Sequence, residues 1–123
     1  MKRIYILTIL LTLSATISAA PINFECKFTR EASANGIKDS TFNMSYLLDE
    51  AAKKAYITGN VGSSEVQYIT NATGGITFIE ITETGNVMVT AISNKDHSAV
   101  HSRNGIIFGN LVPTQYYGTC IAR

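Results

Sequence analysis

The strongest order in this chain is a period of two. Over residues 22–29, apolar Ile22, Phe24, Cys26 and Phe28 take turns with Asn23, Glu25, Lys27 and Thr29. Successive side chains on a strand point to opposite faces, so this run predicts a half-buried strand with Cys26 on the buried side. Residues 41–48 alternate again, with Phe42, Met44, Tyr46 and Leu48 on one face. The polar stretch between them, 30–40, contains Asn35-Gly36 and reads as a loop or loose hairpin.

Residues 49–54 place acids first and lysines last, with Asp49/Lys53 and Glu50/Lys54 four apart, which suits one helical turn as a compact connection. The remaining β-prone runs are 55–58, 65–70, 76–82, 87–92, 99–103, 106–108 and 115–121. They are separated by turn chemistry at 59–64, 71–75, 83–86 and 93–96, at Asn104-Gly105, and around Gly109-Asn110 and Pro113. About eight short strands, with turn signals roughly every eight to twelve residues, predict an all-β fold: a single-domain antiparallel β-barrel or sandwich. An α+β layout would need a true helix, and only the Asp49 region offers even a turn.

The first twenty residues follow a different rule. Met1-Lys2-Arg3 is basic, residues 4–13 are apolar apart from Thr8 and Thr12, and 14–20 are rich in small residues. This is the layout of a secretory signal peptide, with an apolar core too short for a comfortable membrane span. Cleavage is expected near Ala19 or Ala20, leaving one domain over residues 21–123 in the periplasm or outside the cell. The short, basic leader looks bacterial, so the sequons at Asn43 and Asn71 are read as chance.

Removing Lys2 and Arg3 from ten basic residues leaves eight against nine acidic ones, a formal net charge of −1. The basic residues are scattered, with Lys53-Lys54 the only adjacent pair in the mature part. Nothing resembles the basic stripe a nucleic-acid binder needs, and neither electrostatic attraction to membranes nor stable membrane insertion of the mature chain is expected.

The chain has two cysteines, Cys26 and Cys120. An even count in a short exported chain reads as a disulfide framework, and two cysteines allow one intramolecular bridge. Because Cys26 lies on the first predicted strand and Cys120 on the last, the bridge is expected to close the sheet.

Chemistry is sparse. His97 and His101 are the only histidines; at i and i+4 on a strand they stand about 13 Å apart, too far for one zinc ion, and no third ligand is evident. Ser102 beside His101 invites a nucleophile reading, but strand neighbours point to opposite faces. Residues 99–103 read instead as a polar strand with an exposed face. Glu80 with Glu83, or Asp49 with Glu50, are the available carboxylate pairs, without a tryptophan to stack on sugars. No catalytic residue, cofactor or metal site is assigned.

The most distinctive polar-aromatic stretch is C-terminal. Tyr117 is expected to face outward near Arg103 and Gln115, so these three form a candidate interaction patch, aromatic and arginine side chains being frequent interface anchors. The competing expectation is that Tyr116 and Tyr117 pack on the two sides of the closing strand.

The export signal, the size and the Cys26/Cys120 placement resemble the layout of C-type lysozyme inhibitors, which are compact exported antiparallel β-barrels. The resemblance stops at layout. That family's Ser-Gly-x-x-Tyr segment and following aromatic-Trp strand are absent, the nearest stretch being Ser63-Ser64-Glu65-Val66-Gln67-Tyr68 with Phe78 further on. No inhibitory residue is carried over. The chain also resembles uncharacterised small exported bacterial β proteins ending in an aromatic-Gly-x-Cys strand, which implies no activity.

The expected function is a non-enzymatic exported domain that binds a protein or other envelope partner, in the manner of an inhibitor. The alternatives are a small-ligand carrier, with Phe24, Phe28, Phe42, Tyr46 and Phe78 lining its interior, and a small hydrolase.

Overall fold

The computed structural model describes residues 13–14, 19–59 and 62–123; most of the proposed leader lies outside the described residues. Eight strands follow one another: β1 (Ile22–Ser33), β2 (Gly36–Asp49), β3 (Lys54–Gly59), β4 (Gly62–Thr70), β5 (Ile76–Ile81), β6 (Val87–Ile92), β7 (Ser98–Ile107) and β8 (Asn110–Ala122). Each pairs antiparallel with the next, and β8 pairs with β1, giving a closed up-and-down barrel. Of the two architectures the turn spacing allows, the barrel is the one formed, and closure leaves neither terminal strand as an open edge.

The alternation along β1 and β2 is the cause of the core. Phe24, Cys26 and Phe28 face inward from β1, and Tyr46 and Leu48 from β2, joined by Ala55, Val66, Phe78, Ile92, Ala99 and Cys120 from the other strands. Tyr46 and Phe78 stack across the interior with ring centroids 4.4 Å apart, and Phe24 meets Phe78 edge-on. Cys26 and Cys120 are direct partners in the β1–β8 ladder and form the disulfide, with Cα atoms 4.0 Å apart and a separation of 94 positions in sequence.

One irregularity in β1 decides what the barrel presents at one end. Between Phe28 and Arg30 the register shifts, so that Phe28 opposes Gly118 but Arg30 opposes Tyr117. Thr29 is the extra residue of a β-bulge on this side, and beyond it the odd-numbered residues of β1 turn inward. Glu31 thereby comes opposite Tyr116. Gly118 makes the close approach feasible: a Cβ there would collide with the Lys27 carbonyl oxygen and lie 2.7 Å from the Phe28 Cα. The Tyr-Gly-x-Cys pattern therefore reflects backbone contact at the closing seam.

Two local expectations are refined and one changes. Residues 30–40 are mostly ladder, with β1 and β2 running to Ser33 and Gly36 and the ion pairs Arg30–Asp39 and Lys38–Glu31 across them. The 49–54 segment is a turn closed by Lys53 N–H to the Glu50 carbonyl, and Lys54 reaches Glu65 on β4 at 3.5 Å instead of Glu50. Asn104-Gly105 is not the last tight turn. It lies within β7, and the chain reverses at Phe108-Gly109, where both residues have positive φ, 48° and 78°. Two consecutive positive φ values give the type I′ turn whose twist matches a hairpin, so extending the ladder through Ile106 and Ile107 outweighs the local preference of Asn-Gly.

Candidate functional site

A file of polar side chains crosses the barrel interior. Tyr46 on β2 bonds Thr90 on β6 through their hydroxyls at 2.5 Å, and Thr90 Oγ1 lies 2.6 Å from His101 Nδ1 on β7. Arg103, two residues further along the same face, donates its Nε–H to His101 Nε2 at 3.0 Å. The guanidinium has only donors, so Nε2 must carry the lone pair and Nδ1 the proton. Direction then propagates: His101 donates to Thr90, Thr90 to Tyr46, and Tyr46 to the Met44 sulfur at 3.3 Å. No buried side-chain polar atom is left without a partner among the described residues.

Burial sets the electrostatics. Desolvation, helped by the charge on Arg103, lowers the His101 pKa to about 4. Desolvation likewise raises that of the Tyr46 phenol above its ordinary value, against the opposing hydrogen bond from Thr90. Both groups are thus neutral near pH 7. His101, expected on a polar strand with an exposed face, is instead 1% exposed and packed among Phe28, Phe42 and Tyr116. Its burial was hidden because β7 carries few apolar residues to reveal its phase.

The candidate patch divides. Tyr117 donates to Gln115 Oε1 at 2.7 Å and Gln115 donates to Ser102 at 3.3 Å, all on the outer wall. Arg103 is separated from them: it belongs to the interior face, its guanidinium carbon 4.4 Å from the Phe42 ring centroid and 5.2 Å from that of Tyr116. Arg103 and Ser102 are strand neighbours and face opposite sides, and the β7–β8 register, with Ser102 opposite Gln115, decides which side each takes. His97 sits in the β6–β7 turn at φ 56°, its carbonyl accepting the Cys120 N–H. It does not meet His101, and no group of three metal-binding side chains occurs among the described residues. Glu80 is opposite Met88 on the ladder, whereas Glu83 lies in the β5–β6 turn.

The feature missed by sequence reading is the β7–β8 hairpin end. Pairing of β6 with β7 stops at Met88–Arg103, and pairing of β1 with β8 stops at Ser33–Thr114. The hairpin continues for four more residue pairs, to Ile107–Asn110. Its Ile106, Ile107, Phe108, Leu111 and Val112 are all exposed, Phe108 completely. Ile37, Ile81 and Val87 add exposed apolar groups at the same end of the barrel. A cue existed in the run Ile-Ile-Phe-Gly-Asn-Leu-Val, but reading it as two broken strands concealed that it projects.

The projecting edges are blunted against strand addition. Asn86 Oδ1 accepts the outward N–H of Ile106 at 3.0 Å, occupying a donor that a further strand would use. Antiparallel pairs alternate in hydrogen bonding, so Pro113, opposite Asn104, stands where an N–H would also point outward, and it has none. The hairpin offers side chains instead of backbone.

The largest cleft described, about 570 Å3, runs over the outer wall past Thr77, Ala91, Val100 and Tyr117. None of the clefts described is lined by Phe28, Tyr46 or His101. Among the described residues no helix is long and apolar enough to cross a membrane. Comparison of the chain with protein-family models, curated proteins and solved structures returned no match.

Proposed function

We propose that this protein is an exported, non-enzymatic barrel that binds a macromolecule in the periplasm or outside the cell, with the β7–β8 hairpin end as its contact surface. One observation carries the reading: five large apolar side chains are exposed on a projecting hairpin, Ile106 and Leu111 on one face, Ile107 and Val112 on the other, and the Phe108 ring at its tip. Contiguous exposed apolar surface marks interaction sites. Phe108 also occupies a left-handed conformation that disfavours side chains of its kind. A turn selected for stability alone would carry Asn or Gly there. The disulfide agrees with an oxidising compartment.

Packing supports this reading over a ligand carrier, because the phenylalanines and tyrosines expected to line a cavity contact one another and the Tyr46–Thr90–His101 file spans the lumen.

The test compares the wild-type protein with Phe108→Ser and Ile107→Ser in capture from envelope extracts. A partner retained by the wild type and lost by both variants, at unchanged melting temperature, is expected. Equal retention by all three would overturn the assignment of the surface. Lysozyme inhibition is the cheapest specific form to assay, and unaltered lysozyme activity at excess protein would remove that form. Intact mass of the exported chain would place the processing site near Ala19 or Ala20.

A further inference from the structure

Arg103 is held as a receptor would hold it. Its Nε is bonded to His101, and its guanidinium lies over the faces of Phe42 and Tyr116. Rotation of His101 is blocked by Thr90, which is itself tied to Tyr46. Yet Arg103 takes part in no ion pair among the described residues, where Arg30, Lys38, Lys54 and Arg123 each do. Its one hydrogen bond among the described residues uses Nε, so neither terminal nitrogen is committed to a described residue. A partly buried cation is ordinarily paired, and a guanidinium held by Nε presents its terminal N–H groups as a fork.

We infer that Arg103 is an anion-binding site at the barrel mouth, selective for a carboxylate attached to an apolar group. The charge balance argues for a monoanion: Glu31, already bonded to Lys38, and Glu80 both lie on the interior side near this end, so a doubly charged phosphate meets more repulsion than a carboxylate. The surroundings argue for an organic one. Phe42, Tyr116 and Met88 adjoin Arg103, and Ile107 and Val112 continue its face of the hairpin. The site does not require the hairpin to dock a macromolecule, and its test is separate.

The probe is octanoate titrated into the disulfide-intact mature protein, followed by 15N NMR of the Arg103 Nε–Hε and His101 imidazole signals. Octanoate is expected to shift both, while 1-octanol shifts neither, and inorganic phosphate is expected to compete at least tenfold more weakly. Arg103→Lys keeps the charge but loses the fork and is expected to weaken octanoate at least tenfold. A parallel arm compares acetyl-Leu-Leu-Phe with its C-terminal amide. Tighter binding of the peptide acid than of octanoate identifies a chain terminus as the source, and the reverse identifies a fatty acid. Octanoate that leaves the Arg103 signal unmoved, octanol or peptide amide that binds as well as the acid, or phosphate that competes on equal terms would each overturn the proposal. The wild-type signals decide the matter even if Arg103→Lys does not fold.

Discussion

The Arg103 guanidinium donates its Nε–H to the Nε2 atom of His101 at 3.0 Å, a permanent cation held by a neutral imidazole inside a β-barrel. The bond works only while His101 is unprotonated, because a proton on Nε2 would remove the acceptor and set two positive charges side by side. Acid should therefore attack the interior at this point. His101 has a pKa of about 4 in the folded protein against 6.5 for the ordinary group, so the unfolded chain takes up the proton first. Stability from this group is complete above pH 6.5, declines as pH falls from 6.5 toward 4, and levels off below. The total loss is on the order of 3 kcal/mol at most. Denaturant melts across this window should show it, and a flat profile would contradict the assignment.

Thr90 connects the two halves of the file and is buried. Thr90→Val keeps the shape but strands His101 Nδ1–H and the Tyr46 hydroxyl of their shared partner. The expected loss is about 2–3 kcal/mol, since a buried polar group left unmade costs its desolvation. 15N NMR should at the same time show the His101 Nδ1 signal shifted by the loss of its acceptor, while the Arg103 bond to Nε2 keeps the tautomer unchanged.

Gly118 is required by backbone contact. Gly118→Ala would drive a Cβ into the Lys27 carbonyl on β1, where neither strand can give without breaking the ladder. A loss of about 3 kcal/mol or more is expected, a large share of a domain's total. Gly59→Ala, with open space around the added atom, should change little. Comparable melting temperatures for the two variants would refute the close-approach argument.

Phe108→Asn tests whether the tip trades stability for contact. Asn tolerates the left-handed conformation better, so the variant should gain up to about 1 kcal/mol while losing the partner. A destabilised variant that still binds would count against the proposed surface.

The disulfide joins directly opposed residues of the closing strands. Reduction, or Cys26→Ala with Cys120→Ala, should cost about 2–4 kcal/mol by freeing a long loop in the unfolded chain. Hydrogen exchange should rise first along the β1–β8 seam. Unchanged melting after complete reduction would show that the ladder closes without it.

What the sequence determined by itself was whatever follows from local alternation and from counting. Period two placed Phe24, Cys26, Phe28, Tyr46 and Leu48 on one inner face, and two cysteines on the first and last strands implied a closed sheet. Tertiary structure decided the rest for a physical reason: registers and bulges are set by partners distant in sequence. Alternation could not choose barrel over sandwich, because both bury one face of each strand. It could not place the bulge at Thr29, which depends on how closely Gly118 lets β8 approach. It could not bury His101, whose neighbours on β7 are mostly polar and whose partners, Tyr46 and Thr90, come from other strands. Nor could it distinguish an Asn104-Gly105 turn from a longer ladder ending at Phe108-Gly109, a choice settled by the added pairing of Ile106 with Leu111 and Ile107 with Asn110. That extension is what turned an apolar run into an exposed surface.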